Sequence, residues 1–215
     1  HGEHYVLASE SSLPVSTSNP VAVAFHQDYA GYVWLGAREG VFRSNDYGAT
    51  WLKLEAGLSQ GAVETLLGPN NGQVYASIAG KGMHMVPFDG ASWQKTHALE
   101  YFGKNAPAWP TRQFSSWASA VADADSESTL FVGVDPYGLY SSEDGAISFR
   151  RDATGLPMGT IAAVAQSPHD SDVLLVGTGD GPYISHDHGQ TFVPANTGPI
   201  NMGVCFSLTF DSLSP

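Results

Sequence analysis

The sequence predicts an all-β fold, a β-propeller of four-stranded blades, and three observations predict it. The octapeptide Ser44-Asn45-Asp46-Tyr47-Gly48-Ala49-Thr50-Trp51 returns as Ser185-His186-Asp187-His188-Gly189-Gln190-Thr191-Phe192. It returns in worn form as Ser142 to Phe149, with Ala146 at the glycine position, and as Val86 to Trp93, which keeps only Gly90, Ser92 and Trp93. The closing aromatics stand at 51, 93, 149 and 192, so the spacings are 42, 56 and 43 residues, the length of one blade. The composition agrees: 24 glycines, 11% aromatic residues and only 14% charged residues suit many short strands joined by tight turns.

The octapeptide has a readable physical role. An Asp can fold its carboxylate back onto the N–H groups that follow it, and a Gly two places on supplies positive φ, so the pair makes a rigid hairpin turn. The aromatic then opens the next strand and packs inward. On Asp46, Gly48 and Trp51, on Asp144 and Phe149, and on Asp187, Gly189 and Phe192, the pattern resembles the Asp-box (BNR) repeat. That repeat occurs in sialidases, xyloglucanase-type glycosidases, sortilin-type receptors and the photosystem II assembly-factor family. The resemblance implies the turn and the propeller; it does not by itself imply an activity.

The elements follow in order. His4 to Ala8 read as a short strand, of the kind that completes a last blade, and Ser9 to Ser18 as loop. The first blade, about 20–54, has strands at Val21–Phe25, Tyr32–Gly36, Gly40–Ser44 and Trp51–Leu54. The second, about 63–96, has them at Val63–Leu67, Gln73–Ile78, Gly82–Val86 and Trp93–Thr96. The third, about 118–152, has them at Ala118–Ala122, Thr129–Val134, Gly138–Ser142 and Phe149–Asp152. The fourth, about 161–194, has them at Ile161–Gln166, Val173–Thr178, Pro182–Ser185 and Phe192–Pro194, and 203–215 reads as the start of a fifth. Four blades and one strand leave an open edge. The pattern therefore predicts that 1–215 is one incomplete propeller domain, part of a six- or seven-bladed ring or covered by other chains.

Bulk properties narrow the function. At 215 residues and 42% apolar content the chain can bury a sizeable core. No apolar run is long enough to cross a bilayer. Nine Lys and Arg against 21 Asp and Glu give a net charge of -12, which repels phosphate backbones and argues against nucleic-acid binding. The acidity serves solubility or a basic partner. Cys205 is the only cysteine, which excludes an internal disulfide, and its apolar neighbours predict a buried strand residue. The sequence begins at His1, as a processed export product would, so an extracytoplasmic location, periplasmic or secreted, is expected.

The repeat also assigns faces. The box turns join strands three and four on one face, while strand 2–3 turns and inter-blade links form the opposite rim, where propellers usually bind. That rim collects Arg38, Glu39, Lys81, Asp135, Tyr137 and Asp180. It also receives an insertion of about 14 residues in the segment Ala98 to Ser116, which carries Tyr101, Phe102, Trp109 and Phe114 with Lys104 and Arg112. Long loops on rigid scaffolds carry function, and exposed aromatics with Arg dominate recognition. Tyr101, Lys104, Trp109, Arg112, Arg38 and Tyr137 are the expected binding residues. A glycosidase would need two carboxylates on one cleft, for which Asp135 and Asp180 are the candidates, although turn formation explains each of them. The sialidase arginine triad is absent, since no Arg precedes Arg38. The opening His1-Gly2-Glu3-His4 looks like the mature N-termini of exported copper proteins, which implies Cu(II) at His1 and His4 as an alternative to the expectation of no cofactor. His26, His169, His186 and His188 read as solvated turn residues. The function expected is a non-catalytic exported scaffold that binds a protein or a membrane complex. A glycoside hydrolase or glycan-binding module is the alternative.

Overall fold

The computed structural model describes residues 20–26, 29–70, 72–79, 81–96, 117–123, 126, 128–134, 138–151, 153–195, 205 and 207–211. The chain divides into two compact units, residues 1–95 and 96–215, with two blades in each. Among the described residues there is no helix.

In the first unit, β1 (Pro20–Phe25), β2 (Val33–Ala37), β3 (Gly40–Ser44) and β4 (Leu52–Lys53) form one antiparallel sheet in chain order. β5 (Val63–Asn70), β6 (Gln73–Ile78), β7 (Gly82–Pro87) and β8 (Gln94–Lys95) form the second. In the other unit, β9 (Trp117–Ala122), β10 (Leu130–Val134) and β11 (Gly138–Ser142) make a three-stranded sheet. β12 (Ile161–Gln166), β13 (Leu174–Thr178), β14 (Gly181–Ser185) and β15 (Val193–Pro194) make a four-stranded one.

The fourth strand expected at Phe149–Asp152 is reduced to one residue pair, Ser141 with Arg150, which exchange both backbone hydrogen bonds at 2.9 and 2.8 Å. The other outermost strands are only two residues long, so losing a single pair leaves a bridge where a strand would stand. The expected first strand of a fifth blade is also not a strand among its described residues, 205 and 207–211. A first strand needs a second beside it, and the described residues supply none. Cys205 is consequently half-buried and outside any strand, in contrast to the buried strand residue its neighbours suggested. Its N–H still donates to the Thr178 carbonyl at 3.2 Å.

Blades join by a repeated close approach. The second strand of a blade carries a glycine against the first strand of the next: a Cβ on Gly36 would lie 2.7 Å from Val63, and one on Gly133 2.6 Å from Ile161. Gly177 meets Cys205 in the same way. A second contact ties the links. The carbonyls of Ala56 and Thr154 accept from the N–H groups of Trp93 and Phe192 at 2.7 and 2.8 Å. Gly57 and Gly155 follow at φ 76° and 91°, where a Cβ would overlap the Trp93 and Phe192 carbonyl oxygens. Around these seams lie core clusters, one of Trp34, Val41, Leu54, Val63, Val74, Val86 and Trp93, another of Phe131, Leu139, Ile161, Leu174, Val176 and Phe192, with a smaller one of Leu35, Ala37 and Phe42 in the first blade. Position in the array decides exposure. Leu66 and Val164, at matching places on β5 and β12, are 8% and 7% exposed, while Val23 on β1 is 51% exposed.

Candidate functional site

The three boxes are chemically closed. The Ser44 hydroxyl donates to Asp46 Oδ1 at 2.7 Å and accepts from the Gly48 N–H at 2.8 Å. Asp46 Oδ1 also accepts from the Thr50 N–H at 2.8 Å, and Oδ2 from the Thr50 hydroxyl at 2.5 Å. Ser185, Asp187, Gly189 and Thr191 repeat this set. Ser142, Asp144, Ala146 and Ser148 repeat it as well. The Thr50 hydroxyl, the Thr50 N–H and Ser44 bring the Asp46 carboxyl down to about 2, and the matching groups do so for Asp187. At Asp144 burial pushes upward, but the bonds from Ser148, Ser142 and Ile147 outweigh it, so this carboxyl too lies below its ordinary value.

Each turn needs two successive residues at positive φ: Tyr47 and Gly48, Gly145 and Ala146, His188 and Gly189. The third box moves its glycine to the first of these positions, which is how it tolerates Ala146 at the second. The turn is therefore specified by its hydrogen bonds more than by one glycine.

The opposite rim of the first unit is open. A cleft of about 380 Å³ is lined by Arg38, Glu39 and Gly40 from the β2–β3 turn, Lys53 and Leu54 from the end of the first blade, and Glu55 with Leu58 to Gly61 from the link to the second. Lys53 Nζ lies 2.5 Å from Glu55 Oε1. Arg38 is exposed. Glu39 Oε2 is sealed from solvent and has no hydrogen-bond donor among the described residues.

Behind the cleft stands His84, a residue that no motif marks. It lies fully buried on β7, where Ser59 Oγ is 2.9 Å from its Nε2 and the Gly82 carbonyl 3.3 Å from its Nδ1. Burial lowers its pKa, Lys95 adds to that, and the Gly82 bond opposes it. The ring is therefore neutral near pH 7. With Nδ1–H directed at the carbonyl, Nε2 is the acceptor and the Ser59 hydroxyl donates to it. Only the period-two pattern of β7 could have hinted at this burial.

Two histidines depart from the solvated turns expected. His188 Nε2 lies 2.7 Å from Oδ2 of the buried Asp123, and its ring meets Phe131 edge-on at 5.5 Å. Positive φ at His188 aims its side chain back at the neighbouring blade. His26 is half-buried in an aromatic cluster, its ring 4.6 Å from Tyr29 and 4.8 Å from Phe88, because the strand 1–2 loop folds over the second blade's worn box turn. His169 and His186 are exposed, as expected.

Of the residues singled out on the rim, the structure places Arg38 and Glu39 in the cleft. Lys81 and Asp180 are exposed turn residues; the Asp180 N–H donates to Thr178 Oγ1 at 3.0 Å. Tyr101, Lys104, Trp109, Arg112, Asp135, Tyr137, His1 and His4 lie outside the described residues. No grouping of His, Cys, Asp and Glu able to hold a metal occurs among the described residues.

The fold finds counterparts in solved structures. The GH74 xyloglucanase from Xanthomonas campestris matches with a TM-score of 0.62 and 18% identity over 79% of this chain and 29% of that one. The chain is a β-propeller. An extracellular domain assigned to a hybrid two-component system of B. thetaiotaomicron matches with a TM-score of 0.67 and 14% identity, over 89% of this chain and 24% of that one. YCF48 from Cyanidioschyzon merolae matches with a TM-score of 0.59 and 14% identity over 92% of this chain and 62% of that one. Identities this low establish the propeller fold alone, and the chain spans less than two thirds of each of these proteins. No family model and no curated protein sequence matches it. Among the described residues no helix is long and apolar enough to cross a membrane.

Proposed function

We infer that this propeller is a non-catalytic scaffold, acting outside the cytoplasm, that engages a protein or a membrane complex through its rim. One observation carries the reading: the Ser, Asp and Thr or Ser side chains of the boxes are engaged within their own turns, whereas the Arg38–Gly61 cleft opens on the opposite rim with Arg38 exposed along it. Likeness to an extracellular domain and to YCF48 supports an exported scaffold. A photo-crosslinking residue at Gln60, on the cleft, is expected to give one discrete protein adduct in the native host, and the same residue at exposed Tyr47 in the box turn none. Equal labelling from both positions would remove the reading.

A glycan-active propeller is the second reading, and one feature favours it: two carboxylates, Glu39 and Glu55, line the same cleft. Asp135 and Asp180 then give way to this pair as the candidates. Glu55 is engaged by Lys53, which weakens it as a free base. Xyloglucan oligosaccharide incubated with the protein should release no reducing ends if the scaffold reading holds. Release that is lost in Glu39→Gln would establish the enzyme.

A further inference from the structure

We propose that Ser59 is an activated nucleophile of the rim cleft, with His84 as its base, and that it accepts an acyl group from a carboxylic ester. One acyl group per chain is a covalent modification and not turnover, so the proposal goes beyond the scaffold reading and stands independently of it.

Two observations meet at Ser59. The residue lines the cleft and is half-buried there, and its hydroxyl donates to His84 Nε2 at 2.9 Å. A nucleophile and a base within hydrogen-bond reach, with the base oriented by a third group, is the arrangement that activates a serine. The third group is the Gly82 carbonyl, 3.3 Å from Nδ1, which sets the tautomer that leaves Nε2 free to accept. The box serines give the contrast within the same chain. Ser44, Ser142 and Ser185 direct their hydroxyl protons at Asp46, Asp144 and Asp187. Those carboxyls lie below their ordinary pKa and are too weak as bases to take the protons. An imidazole kept neutral by burial is a base at neutral pH.

The cleft supplies the rest of an ester site. Its volume of about 380 Å³ has room for a short acyl chain and its alcohol, and buried Leu54 with half-buried Leu58 forms an apolar wall for the chain. Arg38, exposed and without an ion pair among the described residues, is the cation available to the carbonyl oxygen as charge develops on it. In the step itself, Ser59 Oγ attacks the carbonyl carbon as its proton passes to His84 Nε2. The bond from that carbon to the alcohol oxygen then breaks, and the proton moves from His84 to the departing oxygen. Ser59 is left as an ester, His84 is neutral again, and no co-reactant is consumed.

The test treats the full chain with an alkyl fluorophosphonate, in which phosphorus stands in for the carbonyl carbon, fluoride is the leaving group and the serine ester formed is stable. Intact mass and peptide mapping should find one adduct per chain, at Ser59, and none after urea unfolding or in Ser59→Ala. p-Nitrophenyl acetate should leave an acetyl group on the same residue. Across pH, the fluorophosphonate rate should fall on acidification with a midpoint below the ordinary histidine value of 6.5, because burial lowers the His84 pKa. His84→Gln, whose amide takes no proton, should slow labelling about a hundred-fold or more; the pH profile needs no variant and decides the matter if that one does not fold. Failure of either reagent at Ser59, equal labelling of several serines, undiminished labelling in folded His84→Gln, or a midpoint at or above 6.5 would each overturn the proposal. The scaffold reading fails separately, through loss of the discrete Gln60 crosslink; a crosslink that persists while Ser59 does not react would leave the rim as the contact and remove the nucleophile.

Discussion

Two turns of the first blade, only a few residues apart in sequence, have opposite chemistry. The box turn after β3 satisfies Ser44, Asp46 and Thr50 with one another, and its aromatic seals the strand that follows. The turn before β3 places Arg38 and Glu39 at the edge of a cleft and leaves Glu39 Oε2 without a donor. A turn that answers all of its own polar groups specifies a fold and has little left to offer a ligand. A turn that leaves them open gives up some stability and keeps a site. The most repeated residues of this chain are accordingly its least available ones.

The comparison breaks most readily at the seam between blades. Gly57→Ala and Gly155→Ala place a methyl group onto the Trp93 and Phe192 carbonyls at positive φ, and each should cost about 3 kcal/mol or more. Urea unfolding is the measurement, and a loss below about 1 kcal/mol would mean that the link does not hold the next box in place. Smaller, and inside the box itself, Ser44→Ala removes the hydroxyl that serves Asp46 and the Gly48 N–H in a site only 2% exposed. The expected loss is about 1–3 kcal/mol.

Acid should act on the boxes through their carboxylates. The folded pKa of Asp46 and Asp187 is about 2 against an ordinary 3.8. A depressed folded value means that the unfolded chain binds protons first. The contribution is then fully present above about pH 4 and is lost as pH falls toward 2. The unfolding midpoint should fall across that window, and Asp46→Asn together with Asp187→Asn should flatten the slope. An unchanged slope would show that the boxes do not carry it.

Most of the fold was legible, because the box is a local structure. Ser, Asp, Thr and the aromatic reach one another within eight residues, so their order in sequence suffices to specify the turn. The blade period then follows from the spacing of Trp51, Trp93, Phe149 and Phe192. Two features of the boxes escaped because they depend on φ. Ala146 stands in the left-handed region thanks to a glycine shifted by one place, and His188 takes the same conformation and points at Asp123.

The site was legible only in part. Its face followed from strand order, which put Arg38 and Glu39 on the rim together with the links. Its chemistry did not. Glu55 and Ser59 to Gly61 join Arg38 through the path of the link, and the pairing of Ser59 with His84 spans 25 positions. Neither contact leaves a motif in the sequence.

The division of labour between the two turns is tested most directly by measuring the urea midpoint of Ser44→Ala together with crosslinking in the native host from Gln60 in the cleft and from Tyr47 in the box turn. The account predicts one discrete protein adduct from Gln60 and none from Tyr47, while Ser44→Ala lowers the midpoint and leaves the Gln60 adduct in place under native conditions. Equal labelling from Gln60 and Tyr47, or an unchanged midpoint in Ser44→Ala, would contradict it.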